Sequence, residues 1–300
     1  MQARIIGLAV VFSFFSSIVQ ACMHVPLGYG HEVTYATEEI FMYHDGRYAH
    51  MIIKSTIQVD APDLPETIGW IIPVQSIPVD YKEADAQIFK SLFDYVEFRK
   101  AEMTRGMQSL SLDSSQGLIL HEKQFVGHYE IQPIELTDYS SGKELLDWFN
   151  DNGFKTKNKD IDYYLKNHYA YLAIKITDLH DQKEELKPLH IVYKSDELSV
   201  PLKFDSLSGT FTINLYFLTG QRLGELDKDR FGTKHLKLDG RLEYPIKFIP
   251  GKTGNDILDK ANLPRGYLYK FNASDINSSA NPLKDWSEDP AIKINWFSAF

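Results

Sequence analysis

The chain has 300 residues, 43% hydrophobic and 24% charged, with one cysteine and a formal net charge of −9 at pH 7. With 17 Tyr and 18 Phe it can bury a sizeable core, which argues against disorder, and a lone cysteine excludes an intrachain disulfide. The acidic balance argues against nucleic acid as a partner: the densest basic stretch, 155–159, is surrounded by Asp151, Asp160 and Asp162.

Residues 1–21 read as a removable export signal. Arg4 is the positive start, 5–15 form an apolar stretch, and Val19-Gln20-Ala21 place small residues where a signal peptidase reads. A spanning helix needs about 20 mostly apolar residues, and this stretch weakens at Ser16. A retained N-terminal anchor is the alternative. Both place the folded part outside the cytoplasm, in the periplasm, at the outer membrane or secreted. Cys22 follows the cleavage point, and 19–22 is similar to a bacterial lipobox, with Gln20 where a small or aliphatic residue is usual. Two readings stand. Either Cys22 carries a lipid, which would be the one attachment to a membrane, or it is the first residue of a freely secreted chain.

Beyond a short Pro- and Gly-containing lead, 39–43 and 48–59 read as strands joined at Asp45-Gly46, since glycine tolerates the positive φ of a tight turn. A strand over 67–74 ends at Pro73 and Pro78. From 84 to 99 the period changes: Ile88, Phe89, Leu92, Phe93 and Val96 make one apolar helical stripe. A Ser-rich loop covers 106–115, and 127–136 returns to strand. Ser141 and Glu144 form a capping box for a helix through Leu145, Leu146 and Phe149 that stops at Gly153. A short helix over 159–166 precedes strands at 169–176, 190–194, 198–204 and 210–218. A hairpin around Asp239-Gly240 and a helix near 255–261 complete an otherwise irregular tail from Gly251. Strands outnumber helices and do not alternate with them. The expected fold is therefore α+β, a mainly antiparallel or mixed sheet with a few packed helices. The expected division is a signal over 1–21, an α+β domain over 22–220 and a C-terminal extension over 221–300.

Local catalytic signatures are missing. Gly251-Lys252-Thr253 has Ile246 where a phosphate loop needs glycine. His31-Glu32 leads to Tyr35, and His121-Glu122 to Phe125, so neither makes a zinc-protease helix. No cofactor is expected apart from a divalent metal. His24, His31, His44 and His50 fall between residues 22 and 50, and His44 and His50 flank the Asp45-Gly46 turn. With Glu32 or Asp45 these imidazoles suit zinc or copper; the alternative is a set of exposed turn and strand histidines.

Several segments together resemble the bacterial domain-of-unknown-function family numbered 2330. They are Glu39-Ile40-Phe41 in the opening hairpin, Gly69-Trp70-Ile71-Ile72-Pro73-Val74 with Ile77-Pro78, and Ile88-Phe89 to Leu92. Val126-Gly127-His128-Tyr129-Glu130, Leu145 to Phe149 with Asn152-Gly153-Phe154, Tyr171 to Lys175, Leu186 to Leu189 and Val200-Pro201-Leu202 continue the order. The resemblance spans about 22–218 and implies export and a shared fold, with no catalytic residues. A second cysteine that the family pattern places shortly after the first is absent here. The resulting expectation is an exported, non-catalytic envelope module, either binding another envelope protein or a polysaccharide through exposed aromatics or a sheet edge, or mainly structural as a lipoprotein. A metal-dependent or hydrolytic extracytoplasmic enzyme is the alternative.

Overall fold

In chain order the elements of the computed structural model begin with β1 (Met23–His24), β2 (Val33–His44), β3 (Ala49–Val59), β4 (Ile68–Val74) and β5 (Pro78–Glu83). Next come α1 (Ile88–Arg99), β6 (Ile119–Leu120), β7 (Gln124–Val126), β8 (Tyr129–Glu135), α2 (Gly142–Asp151) and α3 (Asn158–Lys166). They are followed by β9 (Ala170–Ile176), β10 (Lys183–Glu185), β11 (Leu189–Tyr193), β12 (Glu197–Val200) and β13 (Thr210–Thr219). The last are β14 (Lys237–Leu238), β15 (Ile246–Phe248), α4 (Asp256–Lys260), β16 (Gly266–Asn277) and β17 (Ile292–Asn295). The structure describes residues 23–99 apart from 26–28, 30 and 32; 119–136; 142–201 apart from 155 and 157; 210–220; 237–238; 246–277; and 292–295. The export signal, Cys22, the 106–115 loop, Ser141 of the capping box and the Asp239-Gly240 turn lie outside these residues.

The strands form two large layers. A smaller antiparallel sheet runs β1-β4-β9-β8-β6, with β7 also on β8. The larger sheet runs β14-β16-β13-β2-β3-β11-β5, with β10 on β3 and β15 on β16; its β2–β13 pair is parallel and makes the sheet mixed. The α+β class read from the sequence is the class of the structure. β12 and β17 pair separately.

Hydrophobic burial sets the order of the layers. Small-sheet strands β4 and β9 are buried almost continuously, because both of their faces are covered. On one face the Tyr171 ring meets Phe149 of α2, and its hydroxyl donates to the Ile161 carbonyl of α3 at 3.2 Å. On the other, Trp70, Ile131 and Ile174 join Ile40, Met51, Ile191 and Phe217 of the large sheet in one apolar core. The far face of the large sheet, with Phe41, Ile52, Tyr216 and Leu268, packs on Phe89 and Leu92 of α1 and Leu258 of α4. The result is helices, small sheet, large sheet, helices. Among the described residues no helix is long and apolar enough to cross a membrane.

Two details differ from the sequence reading. Phe93 is left out of the α1 stripe, 45% exposed, and Tyr95 takes the buried place. The tail is not irregular throughout: β16 pairs with β13 over nine register positions and also carries β14 and β15. Residues on both sides of position 220 therefore share one sheet.

Candidate functional site

The chemistry-bearing side chains gather at the tip of the β2–β3 hairpin. The turn forms where expected, with Gly46 at φ +98°, a conformation that a side chain would resist. Asp45 anchors it: one carboxylate oxygen accepts from the Arg47 and Tyr48 amides, each at 2.7 Å. Burial opposes ionisation of Asp45, but these amides and His50 outweigh it and hold the carboxyl below its usual range.

His44 and His50 leave the sheet on opposite faces. His44 is 2% exposed. Its Nδ1 accepts from the Gly46 amide at 2.9 Å, so Nε2 carries the hydrogen and donates to the Ser195 carbonyl at 2.9 Å. Ser195 in turn donates its hydroxyl to Gln75, which follows β4 of the small sheet. His44 thus ties the tip to the β11–β12 loop at the seam between the sheets. Burial lowers its proton affinity, outweighing the opposite influences of the Ser195 carbonyl, Asp45 and Asp196.

On the helix side, His50 stacks on Tyr43 with centroids 4.3 Å apart. Its Nε2 is 3.2 Å from Asp45 Oδ2, and its Nδ1 is 3.0 Å from Nε2 of His190 on β11. The carboxylate can only accept, so a neutral His50 carries its hydrogen on Nε2 and offers Nδ1 to His190 Nε2–H. His190 thus donates to His50, whose Nε2 stands at ion-pair distance from Asp45. Lys82 of β5 stands opposite His190, and Asp80 opposite Val192. Burial, then His50 and Lys82, push His190 down to about 3, against the influence of Asp80. Burial also lowers His50, with Asp45 opposing and Lys82 and His44 assisting.

Of the four histidines singled out as metal ligands, the structure places His44 and His50 on opposite faces of one hairpin, and His50 meets a further histidine, His190. His31 is exposed, with its ring against Tyr29 at 5.5 Å. His24 lies on β1, paired with Gly69, and its side chain is outside the description. His44 directs both ring nitrogens at backbone partners, and among the described residues no three His, Cys, Asp or Glu side chains are grouped to hold a metal. His190 escaped the sequence reading because β3 and β11 meet only through long-range register, Val192 opposite His50.

Two other polar centres are internally satisfied. Lys54, 8% exposed, lies 2.8 Å from Glu39 and 2.5 Å from Glu185; burial opposes its charge, but the two carboxylates prevail. At Gly251-Lys252-Thr253 the backbone amides of Gly251, Thr253 and Gly254 face the Asp259 carboxylate. The chain's own anion fills the place where the sequence was tested for a phosphate loop.

An α+β fold of two stacked sheets, with a histidine network at the tip of one hairpin, is the class these features describe. The chain belongs to the family described as an uncharacterized protein conserved in bacteria (DUF2330), whose model matches residues 20–256. No curated protein matches it. Among solved structures it is similar to baculovirus P35, at 12% identity and a TM-score of 0.43, covering 84% of this chain and 95% of that one. A mutated baculovirus P35 after caspase cleavage is similar at 9% identity and a TM-score of 0.38, covering 87% and 92%. Likeness at that level carries no argument about this chain.

Proposed function

We propose that this protein is an exported, non-catalytic module of the bacterial envelope that binds an extended segment of another envelope protein along the edge formed by β5, β6 and β7. The carrying observation is the exposure of large apolar side chains on those strands: Val79 at 57%, Leu120 at 51% and Phe125 at 72%. β5 ends the large sheet and β6 and β7 end the small one, and among the described residues no further strand is hydrogen-bonded beyond them, although β5 lies beside β7. An added strand would satisfy their outer backbone groups while Phe125 and its neighbours supplied apolar contact. Trp70 and most of the tyrosines are core residues, which favours the edge over an aromatic platform for polysaccharide. Export rests on the signal-like residues 1–21.

The test is a photo-crosslinking residue at position 125 in the native host, with position 143 on α2 as control. A single envelope protein captured from 125 and not from 143, with adducts mapping to one short segment, supports the reading. Equal capture from both positions, or none, overturns it. The mass of the mature N-terminus, starting at Cys22 with or without a diacylglyceryl group, tests export and distinguishes anchoring from release.

A further inference from the structure

The β2–β3 tip is fastened by imidazoles on both faces of one sheet, and each fastening depends on a ring nitrogen that still lacks a proton. His44 uses its lone pair on the Gly46 N–H and its one hydrogen on the Ser195 carbonyl. A second proton would set Nδ1–H against an amide N–H whose nitrogen is 2.9 Å away. The facing nitrogens of His50 and His190, 3.0 Å apart, share one hydrogen. That pair can take up one proton without breaking, because Asp45 lies beside His50. A second would place N–H against N–H.

The surrounding charges act in both directions. Asp45 on the turn and Asp196 on the β11–β12 loop favour a charged His44. Lys82 on β5 disfavours charge on His50 and His190, and Asp80 on the same strand favours it on His190. Tyr43 of β2 covers His50, and burial keeps its hydroxyl un-ionised. Arg47 lies over the Tyr48 ring, at 5.0 Å from its centroid.

We propose that His44, His50 and His190 make the hairpin tip an acid-released latch, closed while the rings are neutral and opened when His44 and the His50–His190 pair take up protons. In the open tip the histidines titrate near their ordinary 6.5, whereas in the closed form burial lowers all three. The open form therefore binds more protons as pH falls below 6.5, and closure weakens from there downward. Each proton taken up only on opening multiplies the opening equilibrium by about ten per pH unit. The latch does not depend on the partner proposed above.

Amide hydrogen exchange on the mature protein between pH 7.5 and 4.5 tests it, taking protection of residues 43–50 relative to β9, so that the intrinsic pH dependence of exchange cancels. The expected ratio falls below pH 6.5 by about tenfold per pH unit for each proton taken up on opening. A double variant, His44→Asn with His190→Gln, keeps an acceptor for Gly46 and a donor toward His50 while removing two titrating rings. With only His50 left to titrate, its ratio should fall clearly less steeply than that of the unaltered protein. A flat ratio in the unaltered protein, or the same slope in the variant, overturns the proposal. Histidine ring titration by NMR on the unaltered chain is the second readout. Rings of His44 and His190 titrating near 6.5 while the tip stays protected would also overturn it.

Discussion

β9, in the middle of the small sheet, is buried almost throughout, whereas the β2–β3 hairpin buries His44 and half-buries His50 beneath an exposed turn. The two are held by different chemistry. β9 lies among Trp70, Tyr129, Ile131, Phe149 and Tyr164, whose packing is mainly apolar and aromatic, with the hydroxyls of Tyr129 and Tyr171 donating to backbone carbonyls. The tip lies among His44, His50, His190 and Asp45, held by directional bonds that require particular tautomers. Apolar burial is indifferent to protons and tolerant of small shifts. A buried imidazole network is neither, because each ring nitrogen is a donor or an acceptor according to its protonation. One fold thus contains a core that should hold across pH and a corner that should not.

The comparison is broken most severely by Trp70→Ala. Removing a fully buried indole leaves a cavity and should destabilise the protein by about 3–5 kcal/mol in denaturant unfolding, by a similar amount at pH 7 and pH 5. Gly266→Ala comes next. A Cβ there would stand 2.2 Å from the Thr219 carbonyl oxygen, so the β13–β16 ladder must shift, at a cost of about 1–3 kcal/mol.

Acidification of the unaltered protein is a milder and more selective perturbation. His44, His50 and His190 are held neutral in the folded state and charge readily in the unfolded chain. Their contribution is complete above pH 6.5 and declines as pH falls toward about 3, the value to which His190 is pushed. The slope should reach about 1.4 kcal/mol per pH unit for each such proton, read from denaturant midpoints. It should be shallower in the His44→Asn, His190→Gln variant. Phe125→Ser sits at the small end: with 72% of the residue exposed, stability should change by less than about 0.5 kcal/mol. A larger loss would mean that the edge is covered.

Local features were the legible ones. Asp45-Gly46 marked the hairpin, the 88–96 spacing marked α1, and Gly153, at φ +88°, marked the end of α2. β16 was missed because Lys270 and Asn272 interrupt its apolar run. It forms because β13 presents a matching ladder, in which Asn272 pairs with Asn214 through both backbone register and side chain. β5 was missed for a similar reason: bounded by Pro78 and largely polar, it is a strand only because β11 lies beside it. Three of the four side chains of the candidate site, His44, Asp45 and His50, were visible around one turn.

The sequence by itself determined the α+β class, the hairpin, most helices and the family, because turn chemistry and hydrophobic period act between neighbours along the chain. The two-sheet stacking, the place of β16 and the meeting of His50 with His190 were decided by the tertiary structure. The two histidines are 140 positions apart, and only the register that buries Ile52, Ile53 and Ile191 brings their nitrogens to 3.0 Å. Which residues face one another across a sheet is set by the burial of whole strands, and no local pattern encodes it.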